Sequence, residues 1–405
     1  MTRRDNPGRL FALALAAISL IVPLAVHLFL PVIPAVQAAL GLSKAVAQLT
    51  FSIALFSMAF ATLVYGSLSD RYGRRPVLLS GLALFLIGSA LSAFASSVSL
   101  LILGRVVQAV GAGSSITLVR AIARDVYGAG MLIKAIAYLT MAYTLGPLLS
   151  PMLGGVLIDM FGWRSVFGFA FVLGALITAF AYLAVPESHP PSLSVRSDGR
   201  VLRNYASLFG NIRFTGFVLQ TGFATASFMV AATAASSLMK ETLHHSSTEF
   251  GIYFVLFPLG LLSGNFVASR IGIRLANETM VLAGSLVCLA AVTTQSISLL
   301  IYGLAPITLF APGFFITFAQ GLSLSYAQAG AMAVNPKLAG TAAGIGVFIQ
   351  NFFGAAFAQL YGLLADGTAV PLMVTTALSG LLVVVVGIIP FATAGSDAQE
   401  PFRRT

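Results

Sequence analysis

Residues Gly66–Pro76 read GSLSDRYGRRP and carry four charged side chains in eleven positions. Elsewhere charge is scarce, since only 8% of the 405 residues are charged and 58% are hydrophobic. Soluble domains carry about 25% charged residues, and a hydrated surface cannot hide this much apolar area. The composition therefore excludes a large soluble protein and predicts an integral membrane protein.

On both sides of this stretch, long apolar runs alternate with short polar breaks. The runs are continuous, not alternating, which favours helices over a barrel, because lipid-facing backbone must satisfy its own hydrogen bonds. The ninth and tenth runs join almost without a break. The pattern predicts an all-α integral membrane protein with about twelve transmembrane helices, at 10–36, 47–67, 77–96, 100–122, 134–157, 165–186, 213–238, 248–268, 278–296, 300–325, 340–364 and 369–393.

The net charge of +10 comes from basic residues scattered between these runs, a pattern that indicates membrane topology and not nucleic-acid binding. If the N-terminus is cytoplasmic, most of the 22 Lys and Arg residues lie on the cytoplasmic side. Only Lys44, Arg164 and Lys240 then lie on the outer side. We therefore expect both termini in the cytoplasm, Gly66–Pro76 as a short cytoplasmic turn, and membrane lipid as a partner. The lone Cys288 excludes an internal disulfide.

A proline- and arginine-containing polar segment after span six predicts a linker between two halves. Part of the charged turn recurs after span eight, where Arg270, Gly272 and Arg274 follow the pattern of Arg71, Gly73 and Arg75. Parallel repeats of this kind are typical of two-bundle transporters. We expect two pseudo-symmetric six-helix bundles at 1–186 and 213–405, joined by a cytoplasmic linker at 187–212.

Several motifs resemble those of the major facilitator superfamily. GSLSDRYGRRPVLL resembles its loop signature at Gly66, Leu68, Asp70, Arg71, Gly73, Arg74 and Arg75. RVVQAVGAG at 105–113 is similar to the fourth-span motif, and GPLLSPMLGG at 146–155 to the fifth-span motif of the antiporter branch, although Ala109 and Ser150 replace usual glycines. With ARDVY at 123–127, GWRSVF at 162–167 and VPES at 185–188, the chain looks most like drug:proton antiporters of the bicyclomycin/chloramphenicol resistance type. The resemblance implies the major facilitator fold and alternating access.

The charged turn and span five are expected to form gates. Asp70 can face a helix N-terminus, which the resemblance places near Gly340. The arginines can pair with carboxylates or anionic lipid heads, or can serve only as a topology signal. Proline bends span five, and paired glycines allow close helix contact. The predicted gating residues are Gly66, Asp70, Arg71, Gly73, Arg74, Arg75, Pro151, Gly154 and Gly155.

Arg105 lies deep within a predicted span, where a charge costs about 2.5–3.5 kcal/mol on insertion scales and normally faces a cavity. We expect it to contact substrate or to couple to protonation; the alternative is a buried ion pair or a clamp on backbone carbonyls. Gln108 lies on the same helix face. His27 stands where many relatives carry aspartate, and its ordinary pKa suits a proton carrier. The alternative is a neutral histidine bonded to a neighbouring helix.

Other polar and aromatic residues in the spans could line a cavity for apolar compounds or simply pack helices. The full predicted substrate and proton cavity comprises His27, Arg105, Gln108, Tyr143, Phe223, Asn265 and Gln350.

The sequence contains no phosphate-binding loop, nucleophile elbow or metal-ligand spacing, so no enzyme activity, cofactor or metal site is predicted. Transport must then use a gradient. We predict a monomeric secondary transporter of a bacterial inner membrane that exports small, mostly apolar drugs in exchange for protons. The alternatives are an exporter or importer of a polar metabolite (nucleoside, sugar or organic anion) and a membrane sensor that transports nothing.

Overall fold

The computed structural model describes residues 9–189 and 201–397, which contain helices and no strand. These residues form two compact units. The first comprises residues 9–189 together with Ser246–Ile252, and the second comprises residues 201–245 and 253–397. The borders predicted for the two bundles and the linker stay predictions, because much of the linker lies outside the described ranges.

The predicted all-α fold with twelve membrane-spanning helices is confirmed. Twelve helical stretches of the described residues are long and apolar enough to cross a membrane: Arg9–Val26, Lys44–Tyr72, Arg74–Ala93, Val98–Tyr127, Tyr138–Phe161, Arg164–Ala184, Ile212–Glu241, Ser247–Ile271, Asn277–Tyr302, Pro306–Val334, Ala339–Leu364 and Val370–Ala394.

The central element of the first unit is the long helix Val98–Phe161, which packs against the two helices that precede it in the chain. Serine side chains cap two of the helices, since Ser43 accepts from the Val46 N–H and Ser97 from the Leu100 N–H. The helices are α1 (Arg9–Ile18), α2 (Ile21–Val26), α3 (Val32–Leu40), α4 (Lys44–Tyr72), α5 (Arg74–Ala93), α6 (Val98–Phe161) and α7 (Arg164–Ala184).

The first predicted span is not one helix, which corrects the expectation of a continuous run over 10–36. It is divided into α1, α2 and α3, with a non-helical break at residues 27–31. Pro31 has no N–H to continue the ladder, so the helix cannot run through this point unchanged. Helix α2 ends just before the break, and the carbonyl of Ala25 in its last turn is used in the candidate site.

The short cytoplasmic turn predicted at Gly66–Pro76 is almost wholly helical. Helix α4 continues to Tyr72 and α5 begins at Arg74, so Gly73 alone separates them. Gly73 has φ 97°, a left-handed conformation that a residue with a side chain adopts only at a cost. One glycine thus makes the sharp change of direction for which the sequence suggested a longer loop.

Spans four and five, predicted as separate helices, are joined by continuous helical backbone in α6. The break between spans nine and ten, which hydropathy hardly shows, lies between Tyr302 and Pro306. Pro306 suits the first turn of a helix, and the Thr308 hydroxyl accepts from the Ala305 N–H there.

The second unit is organised around one helix that is buried over nearly its whole length and packs mainly against three others. That central helix is α9. Among the described residues the helices are α8 (Val201–Phe209), α9 (Ile212–Glu241), α10 (Ser247–Phe254), α11 (Leu256–Ile271), α12 (Asn277–Tyr302), α13 (Pro306–Val334), α14 (Ala339–Leu364) and α15 (Val370–Asp397), with α10 divided between the two units.

Candidate functional site

Arg105 is the most deeply buried charge at the candidate site, with 1% of its surface exposed. Its guanidinium donates from Nε to the Thr50 carbonyl at 3.1 Å and from Nη1 to the Ala25 carbonyl at 2.9 Å. Nη1 also donates to Gln108 Oε1 at 2.6 Å. No carboxylate of the described residues pairs with it, and its Nη2 is buried without a hydrogen-bond partner among them.

Phe29 covers the Arg105 guanidinium, whose central carbon lies 4.0 Å from the ring centroid. An aromatic face attracts a cation, and a desolvated pair of this kind contributes about 2 kcal/mol or more. The protein therefore stabilises this charge with carbonyl dipoles, an amide and an aromatic ring instead of a counter-ion.

The Ala25 carbonyl is available to Arg105 because the first span is broken. At the break, the N–H groups of His27 and Leu28 both donate to the Pro23 carbonyl, which leaves Ala25 to accept from the arginine. His27 is 5% exposed and caps the end of α2. Arg105 contacts Ala25, which lies two residues before His27, so both predicted residues lie at the same break of the first span.

Gln108 links the arginine to α5. Its Oε1 accepts from Arg105, and its Nε2 donates to Ser89 Oγ at 2.8 Å. Arg105 therefore joins three neighbouring elements, the first span, α4 and α5, through bonds made by two side chains of α6. The carbonyl clamp, one of the alternatives open from the sequence, describes these contacts.

Span five approaches the same break through a glycine. A Cβ atom on Gly154 would lie 2.6 Å from the Leu28 carbonyl oxygen, closer than real Cβ atoms come. Gly155, the next residue, leaves room for the backbone of Ser247, and Pro151 is buried. The predicted gating residues of span five thus pack against two different segments.

At the junction of α4 and α5, Arg74 is a second buried arginine, and it is matched by acids. It pairs with Asp70 at 2.6 Å and with Asp125 of α6 at 3.0 Å, and it also donates to Ser69. Arg74 is 5% exposed. The helix start near Gly340, expected as the partner of Asp70, belongs to the second unit, and that pairing stays a prediction.

Glu187 was not predicted as a site residue. Its Oε1 accepts from the N–H groups of Arg74 and His189, each at 2.9 Å, and its Oε2 accepts from the Arg75 N–H at 3.1 Å. A Cβ on Gly73 would lie 2.7 Å from Oε2. The signal in the sequence was the VPES segment, but nothing in it shows that the acid caps a helix 113 residues away.

The remaining predicted gating residues of the charged segment make fewer contacts than Arg74. The Arg75 side chain donates to the Tyr182 carbonyl at 2.8 Å and lies over the Tyr182 ring at 5.0 Å. Arg71 is exposed and lies beside the Tyr72 ring. Gly66 has open space where a side chain would be, so no close approach requires it here.

Asp159, near the end of α6, is a second acid whose role the sequence did not show. Its carboxylate accepts from the Ser247 N–H at 3.2 Å and from the Thr248 N–H at 2.8 Å. The Thr248 hydroxyl adds a third bond at 2.7 Å. Asp159 thereby caps α10 within the first unit.

The other predicted cavity residues are divided between the two units, and their membership of one cavity stays a prediction. Phe223 is buried in the second unit, with its ring 4.5 Å from Phe353 and 5.8 Å from Phe357. Tyr143 is half-buried in the first unit, and Asn265 and Gln350 are half-buried in the second unit.

A polar centre in the second unit was also missed. Gln220 of α9 donates to the hydroxyls of Ser285 and Ser323, both at 3.2 Å. Gln320 of α13 donates to Thr225 at 3.0 Å. A lone glutamine in an apolar run gives no sign of which serines will face it.

Comparison with known proteins gives consistent relatives. The family model described as Major Facilitator Superfamily matches residues 15–359. The chain is 29% identical over 401 residues to Multidrug resistance protein D of Escherichia coli (strain K12), covering 99% of this chain and 100% of that protein. It is 25% identical over 368 residues to the Bicyclomycin resistance protein homolog of Haemophilus influenzae, covering 90% and 92%.

Two solved structures show the fold. The D-xylose–proton symporter has a TM-score of 0.77 at 16% identity and covers 94% of this chain and 97% of its own. The POT family transporter PepTSo has a TM-score of 0.77 at 16% identity, covering 98% and 99%. At this identity the likeness concerns architecture and not substrate.

Proposed function

Because the chain belongs to the Major Facilitator Superfamily, we propose that it exports small, mostly apolar toxic compounds across a bacterial inner membrane in exchange for protons. Relatives named for multidrug and bicyclomycin resistance align over nearly its whole length and support this substrate class. The proposed transporter works as a monomer by alternating access, with both termini in the cytoplasm.

The observation that carries the proposal is the unmatched charge of Arg105. A buried cation in a membrane helix is costly unless it is used, and here no carboxylate of the described residues neutralises it. Its buried Nη2 keeps unused donors. A charge of this kind responds strongly to any proton or polar ligand that comes near, because the low-dielectric surroundings screen it little.

His27 is the proposed proton carrier. A proton on His27 would place a second positive charge at the break that Arg105 clamps. Repulsion between the two would weaken the bond to Ala25 and change the conformation of the first span. Protonation and helix rearrangement would thus be coupled through one hydrogen bond.

The gate proposed at the charged segment rests on Arg74, Asp70 and Asp125, with Glu187 fixing the helix start beside them. Tyr143, Phe223, Asn265 and Gln350 complete the proposed cavity residues. Their buried or half-buried aromatic and amide groups suit apolar, weakly polar compounds.

A transporter of a polar metabolite is the alternative. The solved neighbours include a sugar symporter, but at an identity that shows the fold alone. Relatives named for multidrug and bicyclomycin resistance, at higher identity, favour the apolar substrate class.

The test is export by a pump-deficient bacterium that expresses the chain, measured with a panel of apolar antibiotics and, in parallel, charged metabolites. Drug-driven proton movement in everted vesicles then compares wild type with His27→Ala. We expect wild type to raise resistance to the apolar antibiotics. We expect His27→Ala to lose drug-driven proton movement. Lys240→Gln, which removes an exposed charge, is the control and should change neither. Resistance without proton movement in wild type would contradict the coupling, and metabolite flux without resistance would favour the alternative.

A further inference from the structure

An apolar groove of about 630 Å³ lies on the outside of the first unit between α5 and α7. Leu79 and Leu86 of α5 form one wall, and the facing wall on α7 comprises Ala175, Thr178, Ala179, Tyr182 and Leu183. From Leu79 to Leu86 the groove extends about 10 Å along the helix. Both helices are membrane spans, so the groove faces lipid and not water.

The groove offers no hydrogen bond along its length. Its one lining hydroxyl outside the tyrosine, on Thr178, already donates to the Gly174 carbonyl at 2.7 Å. At the end of the groove near Leu86 and Ala175, Gly174 allows α7 to come close to the Phe85 ring. A Cβ on Gly174 would lie 2.6 Å from a carbon of that ring. The helices therefore close the groove at this end, beyond which it does not continue between them.

The other end carries a cation. Arg75 donates to the Tyr182 carbonyl and lies over the ring of the same residue, which lines the groove. Arg74 beside it is matched by two carboxylates, whereas no acid of the described ranges pairs with the Arg75 side chain. Ala175 and Ala179 on the α7 wall thus lead towards an arginine whose side chain pairs with no acid of the described ranges, while Glu187 binds its backbone N–H.

We propose that this groove binds one anionic phospholipid, with an acyl chain along Ala175 and Ala179 and the phosphate at Arg75. Charge complementarity selects the headgroup, because a guanidinium at the membrane surface attracts anionic lipid. The exposed Tyr182 suits the interface between headgroup and hydrocarbon, where aromatic rings with a polar tip concentrate. The site adds a specific lipid to the transporter, beyond its substrate and protons.

The proposal is tested by native mass spectrometry of the full-length protein. The protein is offered phosphatidylglycerol and phosphatidylcholine with identical acyl chains in equal amounts. Wild type should retain phosphatidylglycerol about fivefold better, as expected for one basic residue near the membrane surface. Arg75→Gln should bring the ratio close to one.

Two alanine variants separate the groove from general lipid contact. Ala179→Leu fills the exposed wall and should lower retention of both lipids, whereas Ala290→Leu, on an exposed face of α12, should change neither. Equal retention of the two lipids by wild type would overturn the proposal. So would an Ala179→Leu variant that binds like wild type, or an Ala290→Leu variant that loses as much lipid as Ala179→Leu.

Discussion

Replacing Arg105 tests whether its contacts hold the broken first span in place. Arg105→Lys keeps the charge but replaces a fork of donors by one ammonium. The fork now reaches Thr50, Ala25 and Gln108, on three separate elements. A lysine nitrogen cannot reach all three from one position, so we expect two of the bonds to be lost.

The magnitude follows from those bonds. A hydrogen bond to a charged group contributes about 1.5–3 kcal/mol, so the loss of two amounts to about 3–6 kcal/mol. Arg105→Met loses all three and leaves buried carbonyls without a donor, although it also removes the cost of burying a charge. We therefore expect Arg105→Met to be destabilised by a similar amount to Arg105→Lys.

Equilibrium unfolding in mixed micelles measures stability, and antibiotic export by the same variants measures function. Gln108→Ala removes one acceptor of Arg105 together with the donor to Ser89 and is the graded control, with an expected loss of about 2–4.5 kcal/mol. If the free energy of unfolding of Arg105→Lys lies within about 1 kcal/mol of the wild-type value, the contacts of Arg105 do not hold the first span in place.

Three further predictions concern other contacts. Glu187→Gln should cost about 1–3 kcal/mol, because its amide would direct a donor at a backbone N–H, whereas Glu187→Asp keeps both oxygens and should cost less; unfolding of the pair decides this. Gly154→Ala should cost about 1–3 kcal/mol by overpacking against the Leu28 carbonyl, whereas Gly168→Ala, with open space around it, should be neutral or stabilising in the same unfolding assay. Asp159→Asn should cost about 1 kcal/mol through the weakened cap of α10, seen as faster hydrogen exchange at Thr248; unchanged exchange there would refute the cap.

The membrane fold followed from the sequence because lipid imposes one simple rule, about twenty apolar residues per span. The break in the first span did not follow, since prolines are tolerated in membrane helices and Pro31 alone does not show whether a helix bends or ends. The length of α4 was underestimated for a related reason. Charged residues indicate a loop by composition, yet all but Gly73 of the charged segment remain helical.

The site was predictable in its charges and not in its partners. Arg105 and His27 stood out because they are polar residues in apolar runs, a property of the sequence alone. The sequence could not show that Arg105 bonds to the carbonyls of Ala25 and Thr50. Every residue has a carbonyl, and only the fold decides which of them are available as acceptors. Glu187 was missed because its partner is distant in the chain.

Arg74 and Arg105 are both buried, but one is paired with carboxylates and the other is not. A paired arginine is held in place, whereas an unpaired one stays sensitive to any new charge nearby. Gln108→Glu would give Arg105 a carboxylate at the position where an amide oxygen now lies 2.6 Å from Nη1, and the Ser89 hydroxyl could donate to it. If the unmatched charge couples export to protons, this variant should be at least as stable as wild type in unfolding and yet fail to move protons with drug in vesicles. Gln220→Glu, which alters a buried glutamine with no arginine bonded to it, controls for the added acid. Normal drug-driven proton movement by Gln108→Glu would show that Arg105 is a structural clamp and nothing more.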